Sequence, residues 1–220
     1  MGKILPSKPL LVLLYGFPGS GKTFFARQLC EQLVAVHVHG DRMRNELFEN
    51  PTYNKDENHV VTSLMNYMTG EFLSAGVSVV YDTSVMRAAQ RRALRNMATK
   101  TGAETVLVWL QIDTESAFGR TSRRDRRKVD DKYAQPLDRA AFDSVSRGMQ
   151  NPEMTERYLV VSGKHVFSTQ KSAMIRHLLD RKLINLDPNA HQIGKPGLVN
   201  LVPNPSAGRV DLSRRNIIIR

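Results

Sequence analysis

The chain is poor in several things that would direct an interpretation elsewhere. It has one cysteine, Cys30, which excludes an intramolecular disulfide. Cys30 falls on an amphipathic stretch and reads as a buried spacer. Long hydrophobic runs are missing. The longest apolar run near the start, Leu10 to Tyr15, is too short to cross a bilayer, and no signal-peptide cleavage pattern follows it. Met1-Gly2 opens like a myristoylation signal, but position six is Pro6 rather than Ser or Thr, so that reading is discarded. The expectation is a cytoplasmic protein with no membrane partner. Internal repeats and low-complexity tracts are also missing. The six histidines show no metal-ligand spacing; His37 and His39 alternate along one strand without an evident third ligand. No structural metal is expected. Acidic residues are scarce, 21 against 32 Lys and Arg, for a net charge of +11. That excess favours an anionic partner, nucleic acid among them, while a nucleotide-binding site alone already needs several cations.

What remains is ample for a folded core. The 220 residues are 41% hydrophobic, which argues against global disorder and suits one α/β domain with an appendage. Apolar runs at Leu10–Tyr15, Val36–His39, Val77–Tyr81, Thr105–Ile112 and Tyr158–Val161 read as strands. Between them lie stretches with helical spacing: Lys22–Val34, Arg42–Phe48, Asp56–Ala75, Arg87–Lys100, Thr114 to about Arg124, Asp138–Gly148 and Ser168–Lys182. In Asp56–Ala75 the apolar residues Val60, Leu64, Met68 and Phe72 recur four apart. The alternation of strands and helices implies a parallel five-stranded sheet with helices on both faces, a three-layer α/β sandwich. The chain divides into a main domain over 1–182, with an arginine-rich segment at about 120–137, and a basic arm over 183–220 rich in Pro and Gly. Residues 181–220 hold seven Lys or Arg against two Asp, a local net of +5. The terminal Ile217-Ile218-Ile219 is apolar enough to dock as an edge strand.

The sharpest motif is Gly16-Phe17-Pro18-Gly19-Ser20-Gly21-Lys22-Thr23, which fits G-x-x-x-x-G-K-[ST] between a strand and a helix. Its glycines let backbone N–H groups wrap a phosphate, and the helix N-terminus adds partial positive charge. Lys22 reaches the β- and γ-phosphates, and Thr23 ligates Mg²⁺. ATP and Mg²⁺ are therefore the expected ligands, held by Gly16, Pro18, Gly19, Ser20, Gly21, Lys22 and Thr23.

Two carboxylates fall at strand ends, where ligands sit in open α/β sheets: Asp41 after the second strand and Asp82 after the third. Asp41 suits a base toward an acceptor hydroxyl. Arg44, three residues on, shares its helical face and places a cation beside the acceptor. Asp82 closes a hydrophobic strand in Walker-B fashion and would coordinate Mg²⁺ indirectly or bind the acceptor, with Thr83 and Ser84 assisting. Arg120, Arg123, Arg124, Arg126, Arg127 and Lys128 form the densest cationic cluster and read as a lid over the donor phosphates. Arg87, Arg91 and Arg95 share one helical face, readable either as a guide for a polynucleotide strand or as a solvated surface. Tyr53, Tyr67 and Tyr133 are available for base stacking, and Trp109 reads as core.

With these residues in place, the chain resembles the AAA_33-type ATP-binding kinases, a P-loop group that includes the 5′-hydroxyl kinase domain of phage-type polynucleotide kinases. Zeta-toxin-like, chloramphenicol-phosphotransferase-like and gluconate-kinase-like enzymes belong to the same group. The resemblance runs from about residue 10 to 150 and rests on the phosphate loop, Asp41-Arg42-Met43-Arg44, Val79-Val80-Tyr81-Asp82-Thr83 and Arg120-Thr121-Ser122-Arg123-Arg124. It implies Asp41 as general base, Arg44 gripping an acceptor-side phosphate, and Arg124 as lid arginine with Arg120 assisting. It also implies that Asp82 and Thr83 shape the acceptor site. The reaction it implies is transfer of the ATP γ-phosphate to a hydroxyl, with a polynucleotide 5′-OH as the favoured acceptor and a sugar, nucleoside or antibiotic as the alternative. A non-catalytic nucleotide switch is the reading from another class. No 3′-phosphatase domain is expected, and Ser162 to Phe167 has no clear counterpart beyond an analogy to adenine-contacting segments.

Overall fold

A computed structural model describes residues 3–83 and 87–185. Ser84 and most of the basic arm, including the apolar Ile217–Ile219, lie outside the described residues. The elements run β1 (Leu10–Tyr15), α1 (Lys22–Gln32), β2 (Ala35–His39), α2 (Gly40–Leu47), α3 (Lys55–Ser74), β3 (Ser78–Asp82) and α4 (Ala88–Lys100). They continue with β4 (Glu104–Gln111), α5 (Thr114–Ser122), α6 (Arg139–Arg147), a 3-10 turn at Met154–Glu156, β5 (Tyr158–Ser162) and α7 (Phe167–Asp180). The strands form one parallel five-stranded sheet in the order β2-β3-β1-β4-β5. This is the expected three-layer α/β sandwich.

The period of two along β1 builds both cores. Leu10, Val12 and Leu14 pack with Phe25 and Leu29 of α1 and with Met174 and Leu178 of α7. Leu11, Leu13 and Tyr15 face the other way, onto Val61 and Met65 of α3 and Leu94 of α4. All six residues of β1 are buried, as a central strand covered on both faces requires. The first core reaches past Lys182 to Leu183 and Ile184, and Ile184 bridges to Pro6. Among the described residues no helix is long and apolar enough to cross a membrane.

Two expectations shift. The buried face of α3 is Glu57, Val61, Met65, Thr69 and Leu73, while Val60 is exposed. The four-apart pattern was present twice, one residue out of phase, and packing selected the row that meets the sheet. The second concerns Arg91. It is fully buried rather than on a cationic face. Its guanidinium donates to both carboxylate oxygens of Glu156, at 2.8 and 2.7 Å, and to the Gln150 carbonyl at 2.8 Å. It also lies 5.2 Å over the Tyr15 ring, and Arg95 pairs with the same Glu156.

Burial disfavours ionised Glu156, but hydrogen bonds from Arg91 and Arg95 outweigh it and hold the carboxyl at about 2 instead of 4.5. A depressed pKa contributes stability above the unfolded value, and that stability is lost as pH falls from 4.5 toward 2. Glu156→Gln leaves a buried guanidinium half-paired and is expected to destabilise the fold by about 3 kcal/mol. Urea unfolding at pH 7 and pH 3 checks it: the gap between wild type and variant should shrink at the lower pH.

Candidate active site

The carboxyl ends of β1, β2 and β3 open into one cavity of about 1150 Å³. That is room for a nucleotide and a second ligand together. Its floor is the phosphate loop, entered directly from Tyr15. Gly19 stands at φ 81, and a Cβ on it would lie 2.3 Å from the Ala117 carbonyl of α5, so only glycine fits. The loop is backed by the turn after β5. A Cβ on Gly163 would lie 2.4 Å from the Ser20 carbonyl, and the Gly163 N–H is fixed by Gln111 O at 2.8 Å. This gives the Ser162–Phe167 segment a position: it braces the loop, and Lys164 lines the cavity.

Lys22 is buried and curls over the loop, donating to the Gly16 and Phe17 carbonyls at 2.8 and 2.9 Å. Burial pulls its ammonium down to about 8, with Arg124 adding to the effect and Asp82 and Asp41 opposing it. Ser20 Oγ is buried without a hydrogen-bond partner. A glycine loop at a helix N-terminus, with Gly19, Gly21 and the desolvated ammonium of Lys22 on the cavity wall, fits a phosphate group. Thr23 also lines the cavity.

Asp41 sits in the first turn of α2 and lines the cavity. It is not the helix cap; that position is His39, whose side chain makes no capping bond. Burial raises the Asp41 pKa above 3.8, opposed by His39 and reinforced by Asp82, with Arg124 and Arg44 opposing it further. Asp82 is buried at the end of β3, paired in register with His39. Burial works against its charged form, yet the hydrogen bond from His37 and the potentials of His39, His37 and Lys22 bring it down to about 2. The two carboxylates thus diverge, one raised and one lowered, within a single cavity.

Arg124 reaches the same space. Its Nη1 donates to Gln135 O at 2.6 Å, and burial lowers its pKa against the pull of Asp41, Asp131, Tyr53 and Asp82. Arg120 also lines the cavity; its Nη1 binds Gly163 O at 2.9 Å. The 120–137 segment is tied across the cavity at both sides. Arg27 of α1 pairs with Asp130 at 2.9 Å, and Asn45 of α2 binds Tyr133 O at 3.2 Å and accepts from Arg126 at 3.0 Å.

Arg44 lines the cavity with Asp41 and is held there by α3. It is buried, pairs with Glu57 at 3.0 Å, donates to Asn58 at 2.6 Å and covers the Tyr53 ring at 4.5 Å. Only its buried Nε has no partner. The guanidinium is anchored at the α2–α3 junction and still lines the cavity beside Asp41. Of the row Arg87, Arg91 and Arg95, Arg91 is sequestered from the cavity and Arg87 lines it. Beyond Asp41 the cavity runs between α3 and α4 over Val61, Met65 and Leu94, with Asn58, Asn66 and Gln90 as polar groups. Thr83 and Tyr81 line it as well, and the Tyr81 hydroxyl donates to Asn66 at 3.0 Å. Sequence reasoning missed Glu57, Asn58 and Asn66, which carry no motif.

Residues 11–152 match the family model described as an AAA domain, AAA_33. The chain belongs to that family. Among curated proteins none matches it in sequence. Solved structures share the fold. A putative kinase from Chloroflexus aurantiacus J-10-fl superposes with a TM-score of 0.63 at 15% identity, covering 78% of this chain and 100% of that one. The Mycobacterium tuberculosis APS kinase CysC in complex with AMPPNP and APS gives 0.57 at 16%, covering 79% and 99%. A chain of the Pnkp1/Rnl/Hen1 RNA repair complex gives 0.53 at 18%, covering 68% and 45%. The architecture of this AAA_33 chain is that of P-loop kinases.

Proposed function

We propose that the chain is an ATP-dependent kinase that transfers the γ-phosphate to a hydroxyl. The observation that carries this reading is the convergence of Lys22, Arg124 and Asp41 on one cavity above the phosphate loop. A nucleotide switch has no use for a buried carboxylate of raised pKa facing the loop lysine. The loop amides, Ser20 and Lys22 bind the donor phosphates. Mg²⁺, held by Thr23 and indirectly by Asp82, would neutralise charge on the β- and γ-phosphates. Asp41 orients the acceptor hydroxyl and takes its proton. Arg124 and then Arg120 stabilise charge on the moving phosphoryl group from the lid.

For the acceptor, the space between α3 and α4 supports a small, largely uncharged molecule. Its walls carry Val61, Met65 and Leu94 with the amides of Asn58, Asn66 and Gln90, and of the row Arg87, Arg91 and Arg95 two members are occupied by Glu156. The APS kinase likeness is compatible with a small acceptor. A polynucleotide 5′-OH is the second reading, favoured by the exposed Arg123, Arg126 and Arg127 at the lid and by the charge of +11. Label transfer from γ-labelled ATP separates the two. The acceptors are 5′-OH DNA and RNA oligonucleotides and a panel of sugars and nucleosides. Label on a small molecule alone is the expected result. Label on the oligonucleotides overturns the small-acceptor reading and keeps the kinase; label on neither, with ATP bound, counts against the kinase.

A further inference from the structure

The end of β2 holds two histidines that the phosphoryl-transfer reading does not use, set against Asp82, which it does. His37 and His39 alternate on one face of the strand, and the register of β2 with β3 sets Asp82 beside them. The imidazoles stack at 5.1 Å and 6° between planes. Both Nε2 atoms approach the same oxygen, Asp82 Oδ2, at 3.1 Å from His37 and 3.7 Å from His39. The three ligand atoms lie within 4.8 Å of one another. We propose that His37, His39 and Asp82 form a binding site for a transition-metal ion, zinc in the first instance, separate in ligand chemistry from the Mg²⁺ of the nucleotide.

The geometry is close to what zinc asks. Metal–ligand bonds of about 2.0–2.1 Å in a tetrahedron put neighbouring ligand atoms about 3.3 Å apart, and the two measured edges bracket that value. A plain His–Asp pair explains His37 but leaves His39 over. Its side chain is only 10% exposed, and at 3.7 Å its contact with Asp82 is too long for a hydrogen bond. A metal ion between the three groups satisfies both nitrogens at once. Two nitrogens and one carboxylate oxygen suit zinc and its neighbours, whereas Mg²⁺ prefers oxygen throughout. His39 and Asp82 also line the large cavity, so a fourth coordination position opens toward it.

The test reads metal binding alone and stands whether or not the chain is a kinase. Untagged protein is stripped with a chelator, and zinc is titrated in competition with a chromophoric chelator. Wild type and His59→Gln, a change at an exposed histidine of α3, should each bind zinc at one tight site. His37→Gln and His39→Gln should each weaken that site more than tenfold, since loss of a metal-site partner costs about that much even in the outer shell. Circular dichroism melting confirms folding; His37 is 22% exposed, so its replacement is tolerated by packing. Co²⁺ supplies a second readout, as visible bands of low-symmetry coordination present in wild type and lost in both variants. Equal zinc binding by wild type and the His37 and His39 variants overturns the proposal. So does displacement of the zinc by a large excess of Mg²⁺.

Discussion

Asp41→Asn should lower the rate of phosphoryl transfer by about 10²–10⁴-fold, the usual contribution of a positioned acid or base, while ATP affinity stays near that of wild type. The substitution keeps size while removing the carboxylate's charge and its ability to take a proton. Asp41 does not cap α2, so the helix keeps its start. The pH profile carries a second signature. Because burial raises its pKa, Asp41 protonates on acidification sooner than a free carboxylate at 3.8. Wild-type kcat/KM should therefore fall as pH drops through that raised value, and the acidic limb should be missing from the variant. Single-turnover transfer to the identified acceptor and equilibrium ATP binding are the measurements. Transfer within tenfold of wild type would remove Asp41 from the role of base.

How much of this was readable in the chain depended on how local the determinant is. Gly16–Thr23 announces itself because consecutive residues make the whole device. The strands were legible because a central parallel strand must be apolar on both faces, as Leu10–Tyr15 is. Asp41 and Asp82 were found as carboxylates at strand ends and do share a cavity. Arg91 was not legible: its charge and helical spacing resemble a solvated face, and its partner Glu156 lies 65 residues away. Arg44 was half legible. Its spacing from Asp41 is real, but Glu57 and Asn58 arrive from α3 and take most of its donors. His37 and His39 displayed strand alternation, while the third member of the cluster came from a neighbouring strand through sheet register. In α3 two four-apart rows competed, and only the sheet beneath could choose between them.

Arg124→Ala should be the most damaging change in the lid. An arginine on the moving phosphoryl group contributes about 10³-fold or more in rate, roughly 4 kcal/mol of transition-state stabilisation. Arg124 is partly buried, and its charge is felt by Lys22, Asp41 and Asp82, so it acts from a desolvated position where each interaction is strong. The Gln135 carbonyl holds one end of its guanidinium in place at 2.6 Å. Truncation removes a cation from the cavity without opening the core, so ATP binding should weaken by less than about tenfold while the chemical step collapses. Arg124→Lys keeps charge but loses the planar fork, and should recover only part of the rate. Arg120→Ala provides the contrast. Arg120 is exposed and commits Nη1 to Gly163 O, so its loss should cost less than that of Arg124. Quench-flow transfer rates beside ATP dissociation constants decide the matter: equal losses in rate and affinity for Arg124→Ala would make it a nucleotide-binding residue and leave the charge of the transition state to Lys22, Arg120 and Mg²⁺.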